Sequence, residues 1–218
     1  MLPDVEAEGG RKPPRLMIPE IRDYQRINAA LVALLDRGHP RVCLDGAEGQ
    51  RLLASGLRGN WSATVEIVGR TGPETAANLD APGLTVIANG PTADGVGQGL
   101  AAGRILIRGD AGDVSGYAQS GGLLVVLGSA GHRSGLWQSG GILAILGEVG
   151  RLAGECQSGG RFFLPSAPIG PHASRGQTGG RVIADEVEGP IDPDDHAAWR
   201  EVRNLVALAL APPSSLPS

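Results

Sequence analysis

The glycines of this chain recur at a fixed step. Gly-Gly or Ala-Gly pairs end at Gly103, Gly122, Gly141, Gly160 and Gly180, giving steps of 19, 19, 19 and 20 residues. Three further glycines repeat inside the units. Gly109, Gly112 and Gly116 follow Gly103 by 6, 9 and 13 residues, and Gly128, Gly131 and Gly135 keep those offsets after Gly122, as do Gly147, Gly150 and Gly154 after Gly141. A unit this short cannot bury its own apolar face, so units must stack on one another. Fainter marks extend the array upstream, at Gly83, Gly90 and Gly97 and at Gly69 and Gly72, giving about six units between residues 60 and 188.

Each unit holds one apolar run of four or five residues, then glycines and a short mixed stretch. A helix needs about ten or more periodic residues and does not fit. Ile105 and Ile107 alternate with Arg104 and Arg108, and Leu124/Val126, Leu143/Ile145, Phe162/Leu164 and Val182/Ala184 fall at the same two offsets. Period two puts each pair on one face of a strand. The expected fold is therefore an all-β solenoid, a single-stranded β-helix of about six to seven coils. Its interior would hold aliphatic ladders, with Arg104, Arg108 and Arg161 pointing out. Ala111, Ala130, Ala153, Ser115 and Ser134 fit a second, narrow interior face. Glycine suits the corners because it allows positive φ or close backbone approach. Gly112, Gly131 and Gly150 share one such position, where positive φ would exclude a β-branched residue.

The ends differ from the array. Ile27, Leu31, Leu34 and Leu35 make a helical stripe that Gly38 and Pro40 stop. Arg41–Leu44 then reads as a strand. Asp192-Pro193 opens a second helix, striped by Trp199, Val202, Leu205, Val206 and Leu210. This divides the chain into a mobile tail over 1–20, a helix-strand cap over 21–58, the glycine-repeat β-helix over 59–188, a C-terminal helix over 189–211 and a mobile tail over 212–218.

Little in the sequence carries chemistry. The net charge of −4 offers no basic face for nucleic acid. No apolar run is long enough to span a membrane, and the acidic N-terminus does not read as a signal peptide, so the expected compartment is the cytoplasm. Cys43 and Cys156 lack metal or redox spacing. His39, His132, His172 and His196 sit at unrelated repeat positions, and no metal site is expected. Gly95-Val96-Gly97-Gln98-Gly99 looks like part of a dinucleotide loop, but no helix follows it. Gln119, Gln138, Gln157 and Gln177 recur before the paired glycines and suggest a stacked amide ladder. Tyr117 and Trp137, which follow the last repeat glycine of their units, are the candidate partner interface in a chain with only 3% aromatics.

These repeats resemble the GXGXG domain, the right-handed β-helix that closes the large subunit of glutamate synthase. Tyr24-Gln25-Arg26-Ile27-Asn28, Val42–Arg51 and Gly56-Leu57-Arg58-Gly59 are similar to the opening of stand-alone subunits of that domain. The resemblance spans roughly residues 21–205. It implies a scaffold with no catalytic residue and no cofactor or metal of its own. The partners it implies are a class II glutamine amidotransferase subunit and an FMN-dependent glutamate synthase subunit, with FMN and the iron–sulfur cluster on those partners. Such a complex converts 2-oxoglutarate and glutamine to two glutamates. The β-helix scaffold of formylmethanofuran dehydrogenase, or of the related formyltransferase/hydrolase complex, is similar to the repeat as well and is the alternative.

Overall fold

The computed structural model describes residues 12–21, 23–165, 171–184 and 192–210. Its nine strands form one parallel sheet in chain order: β1 (Arg15–Met17), β2 (Arg41–Glu48), β3 (Ala63–Arg70), β4 (Asp80–Ala88), β5 (Ala102–Ile107), β6 (Leu123–Val126), β7 (Ser139–Ile145), β8 (Ser158–Leu164) and β9 (Gly179–Ala184). From β2 to β9 the sequential parallel order, with no helix between strands, is a solenoid, and the whole sheet makes about seven turns. Two helices flank it, α2 (Tyr24–Asp36) and α3 (Pro193–Leu210), and a single turn, α1 (Ile18–Ile21), follows β1.

The register confirms the interior ladders. Val42, Val65, Val86, Ile105, Leu124, Leu143, Phe162 and Val182 pair in succession. All but Val182 at the far end are fully buried. Ile107, Val126, Ile145 and Leu164 are buried in the same way. Ala111, Ala130, Ala153, Ser115 and Ser134 line the second interior face as expected.

The coils begin earlier than the glycine marks suggest. β2, read as part of a cap, pairs in parallel with β3 along its length, and Arg15–Met17, read as mobile tail, pairs with Cys43–Asp45. Ile18 is fully buried. Residues 1–11 and 211–218 lie outside the described part, so the tails expected over 1–20 and 212–218 are addressed only for residues 12–20, where Arg15–Met17 form β1 and α1 begins at Ile18.

Helix α2 closes the N-terminal end. Asp23 caps it, its side chain accepting from the Gln25 N–H, and Ile27, Leu31 and Leu35 join the same core as the interior ladders. Trp61 ties the helix down by donating from Nε1 to Asp36 at 2.8 Å.

Helix α3 lies on the outside. The strands' outer positions run Cys43, Glu66, Ile87, Leu106, Val125, Ala144, Phe163 and Ile183. From Ile87 onward they form a second core with Ala198, Val202 and Leu205, and Trp199 packs on Phe163 with ring centroids 5.3 Å apart. The helix has 18 residues, about 27 Å at 1.5 Å per residue. Six strands at about 4.8 Å span roughly 24 Å, so it can cover β4 to β9. Arg104 and Arg108 are exposed as expected, but Arg161 is half-buried. It turns toward α3, where Nε donates to Asp195 at 2.6 Å, and Arg181 Nη1 lies 2.5 Å from the other Asp195 oxygen. Asp195 itself is fully buried.

Candidate functional site

The glycine corners are built differently from the sequence expectation. Each carries three left-handed residues two apart: Leu52/Ala54/Gly56, Glu74/Ala76/Asn78, Gly95/Gly97/Gly99, Val114/Gly116/Ala118, Arg133/Gly135/Trp137, Leu152/Gly154/Cys156 and His172/Ser174/Gly176. The fragment Gly95-Val96-Gly97-Gln98-Gly99 is therefore the one corner in which glycine fills all three positions, and not a nucleotide loop. Elsewhere ordinary side chains occupy the strained conformation, which persists because the flanking coils over-determine it. The first and third amides donate to the next coil and the middle one to the preceding coil. Val114 N–H donates to the His132 carbonyl at 2.8 Å, Gly116 N–H to Val96 at 2.9 Å and Ala118 N–H to Leu136 at 2.8 Å.

Gly112, Gly131 and Gly150 do not have positive φ. They are glycine because the preceding coil presses on them. A Cβ on Gly131 would lie 2.8 Å from Asp113 N and closer still to its carboxylate oxygen, and one on Gly150 would lie 2.5 Å from His132 Nδ1. Gly109, Gly128 and Gly147 are in similar contact with the preceding backbone. The third set, Gly116, Gly135 and Gly154, does use positive φ, between 68° and 72°.

Side chains on this face mend the stack. Asp113 N–H donates to Asp94 Oδ1 at 2.9 Å, His132 N–H to Asp113 Oδ1 at 2.7 Å and Arg151 N–H to His132 Nδ1 at 2.9 Å. His132 accepts at Nδ1, so a neutral ring carries its proton on Nε2. Asp110 accepts from Ser129 N–H in the same manner. The two aspartates of Gly109–Asp113 are thus bracing groups for the next coil. Among the described residues no group of three His, Cys, Asp or Glu is placed to hold a metal ion.

The glutamine ladder is present inside the solenoid. Gln157 Nε2 donates to Gln138 Oε1 at 3.0 Å, and Gln177 Nε2 to Gln157 Oε1 at 3.0 Å. Gln119, Gln138 and Gln157 are fully buried. The same corner offset holds Leu57, Leu79 and Leu100 in the first three coils, and Gln119 Oε1, at the start of the glutamine run, has no partner because Gln138 Nε2 donates to the Gly140, Gly141 and Arg161 carbonyls instead.

The predicted surface pair does come together. Tyr117 and Trp137 belong to successive coils and their rings lie 5.6 Å apart, tilted by 37°. Trp137 is 55% exposed and Tyr117 half-buried. Trp137 has φ 57° and donates its N–H to the Glu155 carbonyl, so a bulky ring is held outward on a fixed backbone. Next to it Arg133 pairs with Glu155 at 3.3 Å, and the thiol of Cys156 is exposed. Leu136 is half-buried beside them, whereas Trp61 serves α2.

Toward the N-terminal end the side-chain-free Gly95 leaves an open groove of about 380 Å³, also lined by Arg51, Glu74, Asp94, Gln98 and Val114. Sequence reasoning missed it, because its only signal is the replacement of side chains by glycine at one corner. No family model, curated protein or solved structure matches the chain, so the geometry stands by itself.

Proposed function

We propose that the chain is a non-catalytic scaffolding subunit of a glutamate-synthase-type complex, acting in the cytoplasm. In this reading it holds a class II amidotransferase subunit and an FMN- and iron–sulfur-bearing synthase subunit in fixed relation, and those partners carry the conversion of glutamine and 2-oxoglutarate to glutamate. The resemblance of residues 21–59 and of the repeats to the GXGXG domain supports the choice of complex. The observation that carries the scaffold role is Trp137. It is the one exposed aromatic among the described residues. It stands beside Tyr117 on a corner whose backbone is bonded to both neighbouring coils, a rigid aromatic anchor of the kind that dominates interface energetics.

The test is Trp137→Ala followed by co-purification of the neighbouring subunits from the native source. The expected outcome is a folded variant whose partner recovery falls about tenfold or more, as for an interface anchor. Full recovery removes this face from the interface. Recovery of partners with neither glutaminase nor flavin rejects the assignment of the complex.

A further inference from the structure

The edge of the rod that carries Trp137 is closed to strand addition. Its left-handed amides already serve the stack: Gly95 N–H donates to the Asp113 carbonyl, Gly97 N–H to Thr75 and Gly99 N–H to Tyr117, while Val114 and Ala118 give theirs to the coil after them. A ligand on this edge must therefore be recognised by side chains. Two features adjoin there. One is the groove floored by Gly95. Gln98, which lines it, holds the place in its coil that Tyr117 and Leu136 hold in the next two, at steps of 19 residues. The other is the aromatic pair, in which Trp137 meets Tyr117 on the groove side of its own coil. The pair thus lies one to two coils beyond the groove, roughly 5–10 Å at the strand spacing.

The groove is acidic. Glu74 and Asp94 line it, and Asp113 is exposed next to Val114 on its rim. Arg51, the one base among the lining residues, is already paired with Glu74 at 2.7 Å. Carboxylate charge is therefore in excess beside a floor that has no side chain.

We propose that this edge docks a proline-rich segment of a second protein in the polyproline II conformation, with an arginine or lysine in the groove and a proline on the Tyr117–Trp137 pair. This rests on the reading of Trp137 as an interface residue and names the chemistry it meets. A polyproline II chain asks for no strand partner, and it is already extended before it binds. Its residue three places on faces the same side after roughly 9 Å, the step from groove to aromatic pair. The basic head faces Asp94 and Glu74, and its apolar stem lies on Val114. The chain's own proline segments do not fit. Lys12-Pro13-Pro14-Arg15 is built into the sheet, the Pro14 carbonyl accepting from Cys43 N–H and Arg15 pairing with Asp45. Residues 211–218 contain prolines but no Lys or Arg.

The test uses the full chain, isotopically labelled, and a fluorescent polyproline peptide with one arginine near its start. In one control peptide glutamate replaces the arginine; in another a glycine-serine sequence replaces the prolines and the arginine stays. The expected result is that the arginine–proline peptide alone shifts the signals of the Trp137 indole and the Gly95 amide. Its affinity, followed by anisotropy, should fall about tenfold in Trp137→Ala, and equally in Gly95→Leu, which fills the groove. The fold accepts leucine at that position, as Leu52 and Leu152 hold it at φ 58° and 64°, and a Cβ on Gly95 meets its neighbours only at 3.5 Å. Asp94→Asn keeps an acceptor for the Asp113 N–H and removes the charge, so affinity should fall severalfold with unchanged unfolding. Equal binding of either control peptide, or no shift at saturating arginine–proline peptide, overturns the proposal. Loss of partner subunits from Trp137→Ala without any peptide binding keeps the interface and rejects this occupant. Peptide binding with full partner recovery keeps the site and removes it from the complex.

Discussion

Gly131 and Gly135 are both invisible to a volume argument, yet they are glycine for different reasons. Gly135 has φ 72°, whereas Gly131 is pressed against Asp113 of the coil before it. Gly131→Ala should therefore destabilise by crowding, by about 1–3 kcal/mol or more, measured by urea unfolding. A loss below about 0.5 kcal/mol would show that the stack gives way easily. The sequence disclosed that these positions repeat, but not which constraint each obeys, because spacing records the coil and not its dihedrals. Nor could it disclose that Trp137, Val114 and Arg133 sit in the left-handed region, since residue preference argues against them there. Cys43 gives a second residue-scale test. Burial pushes its thiol up, with Arg15 partly opposing and Asp45 and Glu66 adding to the rise. The folded chain then keeps this proton to higher pH than the unfolded chain does, so this contribution is intact below the ordinary thiol range and is lost as pH climbs through it. Unfolding free energies measured across alkaline pH should fall less steeply in Cys43→Ala than in the parent. Parallel curves would place the titration elsewhere.

At the scale of elements, the interior faces were legible from period two, and the outer cover was not. Leu123–Val126 and Ile142–Ile145 are apolar on both faces, the mark of strands buried on two sides. Reading only Ile105 and Ile107 against their arginines hid Leu106, and with it the platform for α3. Arg161 was read only as pointing out, and its cover by α3 stayed hidden because its partner lies 34 residues away in sequence and meets it only through packing. Replacing both Arg161 and Arg181 with Ala leaves the Asp195 carboxylate buried without a counter-charge, a situation that costs about 3–5 kcal/mol when not relieved. We expect α3 to detach instead. With Trp61 and Trp137 changed to Phe, quenching of Trp199 fluorescence by acrylamide should rise. Unchanged quenching would mean that the apolar contacts to Phe163 and Val125 hold the helix without the ion pairs.

At the scale of the whole molecule, stacked units of nearly equal length present a problem that a single unit does not. A strand could pair with the wrong neighbour and still bury leucine against leucine. The column of Leu57, Leu79 and Leu100 followed by Gln119, Gln138, Gln157 and Gln177 breaks that equivalence. Sliding the array by one unit would set a glutamine amide against leucine in the dry interior, at a cost of about 1–3 kcal/mol for each group left unmatched. Gln119 Oε1 already accepts no bond, whereas Gln138 Oε1 accepts from Gln157. Moving the boundary should thus be cheaper than interrupting the run. Gln119→Leu is expected to cost about 1 kcal/mol less than Gln138→Leu, which takes from Gln157 its acceptor. Equal losses in chemical unfolding would deny the column this role. If the difference holds, the boundary acts as a phase mark, giving otherwise interchangeable turns an address along the rod and making mispaired, slipped assemblies of the same chain the costlier outcome.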